Sequence, residues 1–182
     1  MVAAGELGGA APEALRPVTK TLGELAYQRG GVVLELRPGA LVVAFGLEVA
    51  GEDDVATAMG WALDADAMVR EAPADRGAIT LQIGARAGVV TASVGSPAAP
   101  AATVTVARAP ELGPRIPPEA VDEARALARD AAPGRPLFVG GAGRITSGLY
   151  ALRERAGGSG GGRGPVMEVL GPRGFDERGR AR

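Results

Sequence analysis

The side chains that could carry chemistry in this 182-residue sequence are carboxylates, arginines and hydroxyls, because it contains no histidine, no cysteine and no asparagine. A histidine general base, a cysteine nucleophile and a zinc–thiolate site are therefore excluded. A metal site would need oxygen ligands only, which suit magnesium or calcium. Converging carboxylates are thus the first feature to look for.

Two pairs of aspartates stand close together in the sequence. Asp53 and Asp54 open a helical pattern, and neighbouring residues on a helix diverge by about 100°. We therefore expect them to stabilise the positive end of the helix dipole rather than to share a metal ion. Asp64 and Asp66 lie two residues apart and face different ways, so we expect both in solvent. These pairs predict no metal site.

Three arginines are candidates for binding an anion. Arg125 and Arg129 lie four residues apart on one predicted helix, with Asp122 and Glu123 close by, so a solvated charged face is the simpler interpretation. Arg115 precedes this helix. We keep Arg115 and Arg125 as candidate anion contacts.

Two glycine-rich runs could be mistaken for phosphate loops. Residues 140–144, followed by Thr146 and Ser147, lack the spacing and the lysine of such a loop, so we expect a turn there. Residues 157–164 have the composition of a flexible linker. Neither run predicts a nucleotide site.

Composition and charge exclude several classes of partner. The net charge is −1 and aromatic residues make up 3% of the chain, so we expect no nucleic-acid partner. No run of about 20 apolar residues predicts a membrane span. Residues 1–11 lack the pattern of a signal peptide, so we expect a cytoplasmic protein. The frequent Gly, Ala, Arg and Pro are typical of a GC-rich bacterial genome.

Periodicity predicts the elements that must position any site. Helical spacing marks residues 12–29, 52–72 and 118–131. A hairpin is predicted from residues 32–36 and 41–45 around Pro38-Gly39. Alternating or short apolar runs predict the other strands, at 79–83, 88–94, 103–106, 137–139 and 148–153. This order predicts an α+β domain with an antiparallel, ferredoxin-like sheet and helices on one face.

The domain is predicted to span residues 12–155. Residues 156–182 are then a Gly-rich linker and a tail, in which the apolar pattern permits one strand at 166–170.

Several segments occur in an order that resembles a known family. They are Arg29-Gly30-Gly31, Ala44-Phe45-Gly46, Glu52-Asp53-Asp54, Ile83-Gly84, Gly88-Val89-Val90, Val94-Gly95-Ser96-Pro97 and Pro133-Gly134. Together they resemble the catalytic domain of class III adenylate/guanylate cyclases. The resemblance implies a nucleotide cyclase-like fold, over residues 12–155.

The family's functional residues find few counterparts here. The resemblance implies two carboxylates that hold magnesium, the first on an initial strand. Residues 1–11 look too short and too rich in Gly and Ala for that strand, so we expect it to be missing. The second carboxylate falls on Gly39, and the adenine-reading Lys falls on Glu35. We therefore expect no metal site and no cofactor.

The family's Asn and Arg on a later helix admit two alignments. Counted back from Pro133-Gly134 they fall on Asp122 and Ala126, with Arg125 adjacent. Counted forward from residues 95–97 they fall on Glu111 and Arg115. The helical pattern favours the first alignment.

These departures predict a catalytically inactive cyclase-like domain, not an enzyme, within bacterial signal transduction. We expect a regulatory or dimerisation role in a larger multidomain protein. Its partner would be a second copy, another cyclase-like domain or a module of the parent protein. Two alternatives stay open: a sensor that binds a nucleotide without turnover, and a residual adenylate or guanylate cyclase active only with a partner subunit.

Overall fold

A computed structural model describes residues 1–47, 51, 53–72, 79–86, 91–92, 114–139, 148–155 and 164–174. The helices within these ranges are α1 (Pro12–Gln28), α2 (Asp54–Arg70) and α3 (Pro118–Asp130). The strands are β1 (Val2–Gly8), β2 (Val32–Arg37), β3 (Ala40–Ala44), β4 (Thr80–Arg86), β5 (Thr91–Ala92), β6 (Pro114–Arg115), β7 (Leu137–Val139), β8 (Tyr150–Glu154) and β9 (Val166–Pro172).

Seven of these strands form one sheet in the order β2-β3-β1-β4-β7-β9-β8. All its neighbouring pairs are antiparallel except β4 and β7, which run parallel. Strands β5 and β6 pair separately. The predicted α+β class is confirmed, and the sheet is mixed rather than purely antiparallel.

The first strand is present, so the prediction that it is missing is wrong. Strand β1 lies in the middle of the sheet, where Ala3 pairs with Val43 on one side and with Ala85 on the other. Its small residues are suited to this place, because a strand between two helical layers has little room on either face. A side chain on Gly5 would come within 2.6 Å of the Leu41 Cδ2 atom.

Helices cover both faces of the sheet, which corrects the prediction of one covered face. Helices α1 and α2 pack on one side in a core that includes Leu22, Met59 and Trp61. Trp61 is fully buried there, and its indole nitrogen donates to the Leu22 carbonyl oxygen at 3.3 Å. Helix α3 covers the opposite side, which we call the α3 face.

Helix α3 approaches the sheet unusually closely. Its inner stripe consists of Ala120, Ala124 and Ala128, all buried. They lie over β4 where Gly84 has no side chain, and a Cβ atom on Gly84 would stand 2.2 Å from the Ala128 nitrogen. Alanine and glycine thus let the backbones of helix and strand meet.

The tail strand predicted at 166–170 is confirmed, and it lies inside the main sheet. Strand β9 pairs with β7 through Phe138 and Met167, and with β8 through Arg153 and Glu168. Strands β1 and β9 therefore both lie outside the predicted range 12–155 and still belong to the same sheet.

The predicted helices and the hairpin are found where the sequence placed them. The predicted strand at 103–106 and the glycine-rich runs at 140–144 and 157–163 lie outside the described residues. Among the helices described, none is long and apolar enough to cross a membrane.

Candidate functional site on the α3 face

The α3 face brings together three of the polar side chains that the sequence singled out, Glu35, Glu123 and Arg125, because α3 lies across β1, β3 and β4. Val2, Ala4 and Val42 pack under α3, so alternate residues of β1 and β3 face the helix. Glu6 continues this alternation beyond Ala4, which places it on the α3 face. It pairs with Ala40 on β3 and with Gln82 on β4.

Glu6 is a candidate functional residue that the sequence did not reveal. It is partly exposed, and within the described part of the chain no hydrogen bond or ion pair engages its carboxylate. The alternation of Val2, Ala4 and Glu6 was the available signal, hidden by the Gly/Ala-rich composition. Strand β1 therefore carries one carboxylate on the α3 face.

Glu35 and Arg125 form an ion pair that joins β2 to α3. Arg37 adds a second contact to Glu35, with 2.9 Å between the Arg37 Nε and the carboxylate. The Arg125 side chain is 21% exposed, so it does not lie on the solvated face that the sequence favoured. The pairing holds the Glu35 carboxylate on the α3 face.

A second ion pair, between Arg86 of β4 and Glu123 of α3, lies nearer the start of the helix. Both side chains are mostly buried. The two pairs fasten α3 across the sheet at separate points. Breaking either would leave a partly buried charge uncompensated.

The hairpin turn at Gly39 offers no ligand to a metal. Gly39 has a φ of +84°, and its amide donates to the Thr19 hydroxyl oxygen at 3.2 Å. Its carbonyl oxygen accepts from the Leu7 amide at 2.8 Å. Thr19 is buried and donates in turn to the Leu15 carbonyl oxygen. This network ties the turn to α1 and β1.

The described residues do not fit the two-carboxylate magnesium site that the resemblance implies. Glu6 supplies one carboxylate, Gly39 supplies none, and Glu35 is engaged by two arginines. No group of three or more acidic residues that could hold a metal occurs in the described part of the chain.

Three arginines gather near the end of α3. Arg153 of β8 and Arg135 both pair with Glu168 of β9, the closer at 2.7 Å. Arg155 donates to the carbonyl oxygen of Asp130, the last residue of α3, at 2.7 Å. Two guanidinium groups share the Glu168 carboxylate, and the third bonds a neutral backbone carbonyl, so this arginine cluster carries positive charge that suits an anion.

The other candidates from the sequence lie apart from these groups. Asp122 and Ala126 are exposed on α3, and Arg115 ends β6. Glu111 and most of residues 88–97 lie outside the described residues.

The aspartate pairs do not converge on one ion. Asp54 accepts from the Gly51 amide at 2.7 Å, which fits a role at the start of α2. Asp64 pairs with Arg29, and Asp66 pairs with Arg70. Asp66 is buried, contrary to the prediction that it faces solvent.

Comparison with solved structures identifies this fold. A mutant of the guanylyl cyclase domain of the RhoGC fusion protein from Blastocladiella emersonii superposes with a TM-score of 0.72 at 14% identity, over 95% of this chain and 94% of that chain. The guanylate cyclase domain of RhGC from Catenaria anguillulae, solved with GTP, gives 0.69 at 16% identity, over 94% and 96%. The adenylyl cyclase CyaB from P. aeruginosa gives 0.66 at 12% identity, over 98% and 95%. No protein-family model and no curated protein matches the chain.

The predicted resemblance is thus confirmed in the fold, which is that of class III cyclase catalytic domains. The prediction that the domain is not an enzyme needs correction, because the structures it resembles are guanylyl and adenylyl cyclases. The differences from the family's residues at Gly39 and Glu35 do not by themselves exclude catalytic activity. A likeness of 12–16% identity establishes the fold.

Proposed function

We propose that this domain is a nucleotidyl cyclase-type subunit that acts in signal transduction as half of a dimer and binds a guanine nucleoside triphosphate on its α3 face. The observation that carries the proposal is the Glu35 carboxylate, held on that face of a cyclase fold beside Arg125.

Guanine is the base that a carboxylate at Glu35 would favour. An ionised carboxylate only accepts hydrogen bonds. The Watson–Crick edge of guanine offers two adjacent donors, its ring N–H and its amino group. Adenine offers one donor beside an acceptor, and that acceptor would repel the carboxylate. Replacement of the adenine-reading Lys by Glu35 therefore changes the preferred base instead of abolishing recognition.

Positive charge on the same face supports a polyphosphate ligand. Arg125 lies on the inner half of α3 beside Glu35, whereas the arginine cluster of Arg135, Arg153 and Arg155 surrounds β9, five strand spacings from β2, so Arg125 is the guanidinium group nearest the proposed base site. Guanidinium groups bind phosphate oxygens in a bidentate manner, which suits a nucleoside triphosphate.

A dimer follows from the incomplete carboxylate set. The chain brings Glu6 to the α3 face and has Gly39 where the resemblance implies a second carboxylate. We propose that the dimer forms with a second copy of this chain or with a related cyclase-fold subunit. Only the related subunit can complete the carboxylate set, because a second copy also has Gly39. One solved neighbour is described as a non-canonical dimeric guanylyl cyclase domain, and two others are described as monomeric.

The experiment is a calorimetric titration of the purified chain with GTP and with ATP. We expect GTP to bind at least about tenfold more tightly, a difference of about 1.4 kcal/mol. Glu35→Gln should bring the two affinities within about threefold, because an amide both donates and accepts. Glu24→Gln is the matched control, since Glu24 is exposed on α1. Tighter binding of ATP, or an unchanged preference in Glu35→Gln, would refute the guanine assignment.

The second experiment measures assembly and turnover. Sedimentation of the chain, alone and with an intact cyclase domain, should reveal a dimer. Formation of cyclic GMP by the mixture should fall in Arg125→Ala and persist in Arg129→Ala, which removes an exposed arginine from the same helix. Equal rates of cyclic GMP formation in the two variants would refute the assignment of Arg125 to the nucleotide site.

A regulatory role is the second candidate, and Gly39 is the observation that favours it. A subunit with one carboxylate could bind the nucleotide and control its partner. In that case the rate of cyclic GMP formation by the mixture would change with the amount of this chain added. The Arg125→Ala variant would alter how that change depends on the nucleotide concentration.

A further inference from the structure

A cavity of about 220 Å³ lies on the α3 face, between the sheet and the first turn of α3. It stands at the end of β1 that carries Val2, opposite the hairpin turn at Gly39. Its apolar lining includes Val2, Ala44, Phe45, Ile116 and Ala120.

The cavity arises from how α3 is held. Backbone contact at Gly84 fixes the later part of the helix against β4. Toward the first turn, Val2 and Ala44 from the sheet and Ala120 from the helix present small side chains to the gap. These side chains are too small to fill it.

The charged groups around the cavity already have partners or face water. Arg86 pairs with Glu123, and the Met1 amine donates to the Phe45 carbonyl oxygen at 2.6 Å. Glu119 is exposed at the rim. An occupant needs no charge, and a charged one would lose hydration without gaining a free partner.

The volume limits the size of the occupant. An apolar protein cavity of about 150 Å³ can hold benzene. The cavity here would therefore take a single substituted aromatic ring or a branched hydrocarbon of about seven to ten heavy atoms.

We infer that this cavity binds a small, uncharged, apolar molecule and that occupancy stabilises the packing of α3 on the sheet. Because α3 carries Arg125, the ligand would also strengthen binding at the nucleotide site. This second effect rests on the proposed function, and the binding itself does not.

The test is a titration with toluene and p-xylene in the absence of nucleotide. Trp61 is the only tryptophan, and its ring centre lies 5.8 Å from that of Phe45, which lines the cavity. We expect a saturable change in tryptophan fluorescence and a rise in the unfolding temperature. A steroid, which is too large for the cavity, should produce neither change.

Two leucine substitutions locate the effect. Ala120→Leu fills the cavity and should weaken toluene binding at least about tenfold. Ala126→Leu is the control: it adds the same side chain at an exposed position of the same helix and should leave toluene binding unchanged. Ala44→Val fills the cavity from the sheet and should also weaken binding, which covers the case in which Ala120→Leu fails to fold.

The outcomes are separable from those of the nucleotide experiments. Loss of the response in the cavity-filling variants, with retention in Ala126→Leu, supports the site. The absence of a saturable response in the wild-type chain, or an equal response in all variants, overturns it. Failure of GTP to bind would refute the proposed function and leave this result intact.

Discussion

Replacement of Gly84 by alanine should break the close packing of α3 on β4. The added Cβ atom would stand 2.2 Å from the Ala128 nitrogen and 2.5 Å from the Ala124 carbonyl oxygen. Both are backbone atoms of a helix, so no side-chain rotation can relieve the overlap. The helix would have to move away from the strand by at least about 1.2 Å to reach ordinary contact distance.

The cost of this movement can be bounded. Inserting one methyl group into a tight core typically costs about 1–3 kcal/mol. The Gly84 case lies at the upper end, because the displacement also loosens the buried alanine stripe of α3. We therefore expect Gly84→Ala to lower the free energy of unfolding by about 3 kcal/mol.

Gly8→Ala provides the matched control. Gly8 ends β1, and its nearest neighbour to an added Cβ would be the Thr80 hydroxyl oxygen at 3.4 Å, an ordinary contact. Urea denaturation of both variants, followed by circular dichroism, gives the comparison, with the slope checked for two-state behaviour. Equal stabilities of Gly84→Ala and Gly8→Ala would refute the argument that backbone contact holds α3.

Two further substitutions test local features of the fold. Thr19→Val removes the hydroxyl that links α1 to the Gly39 turn and should lower the free energy of unfolding, measured by urea denaturation, by about 1–2 kcal/mol. Thr21→Val removes an exposed hydroxyl of the same helix and should lower it by less than about 0.5 kcal/mol. Equal losses in the two variants would contradict a role for the turn contact. Burial raises the pKa of the Tyr150 hydroxyl above its usual value of about 10, Arg29 opposes the rise, and Asp64 adds to it. A raised pKa in the folded state means that this group's stabilisation is present below about pH 10 and is lost as the pH rises through the folded pKa. Tyr150→Phe should therefore flatten the fall in stability above about pH 10. It should also lose the hydrogen bond to the Ala56 carbonyl oxygen at neutral pH. An unchanged alkaline profile would count against this reasoning.

The sequence predicted the elements whose signals are local. Helix α1 has its apolar residues at spacings of three and four, and α3 has Pro118 at its start and alanines on one side. The hairpin follows from Pro38-Gly39 between two apolar runs. Each of these signals lies within a few residues, so the chain order and the class of fold could be inferred.

Strand β1 could not be found in this way. Its small residues carry little strand propensity of their own, and they form a strand because β3 and β4 pair with both edges while helices cover both faces. Because strand β1 was not predicted, Glu6 was not recognised as a candidate site residue.

The ion pair between Glu35 and Arg125 joins residues 90 positions apart. Local charge pattern assigned Arg125 to Asp122 and Glu123 on its own helix, since a sequence shows only neighbours along the chain. In the folded chain Glu35 of β2 pairs with the same arginine. The face that α3 covers was predicted wrongly for a similar reason, because its alanine stripe does not show which side of the sheet the helix packs against.

Hydrogen exchange of the chain with and without GTP tests the central claim most directly, since it shows where the nucleotide binds. We expect slower exchange in β2 (Val32–Arg37) and α3 (Pro118–Asp130), with little change in α1 (Pro12–Gln28) on the opposite face. Slower exchange confined to α1 and α2, or no change at saturating GTP, would contradict it.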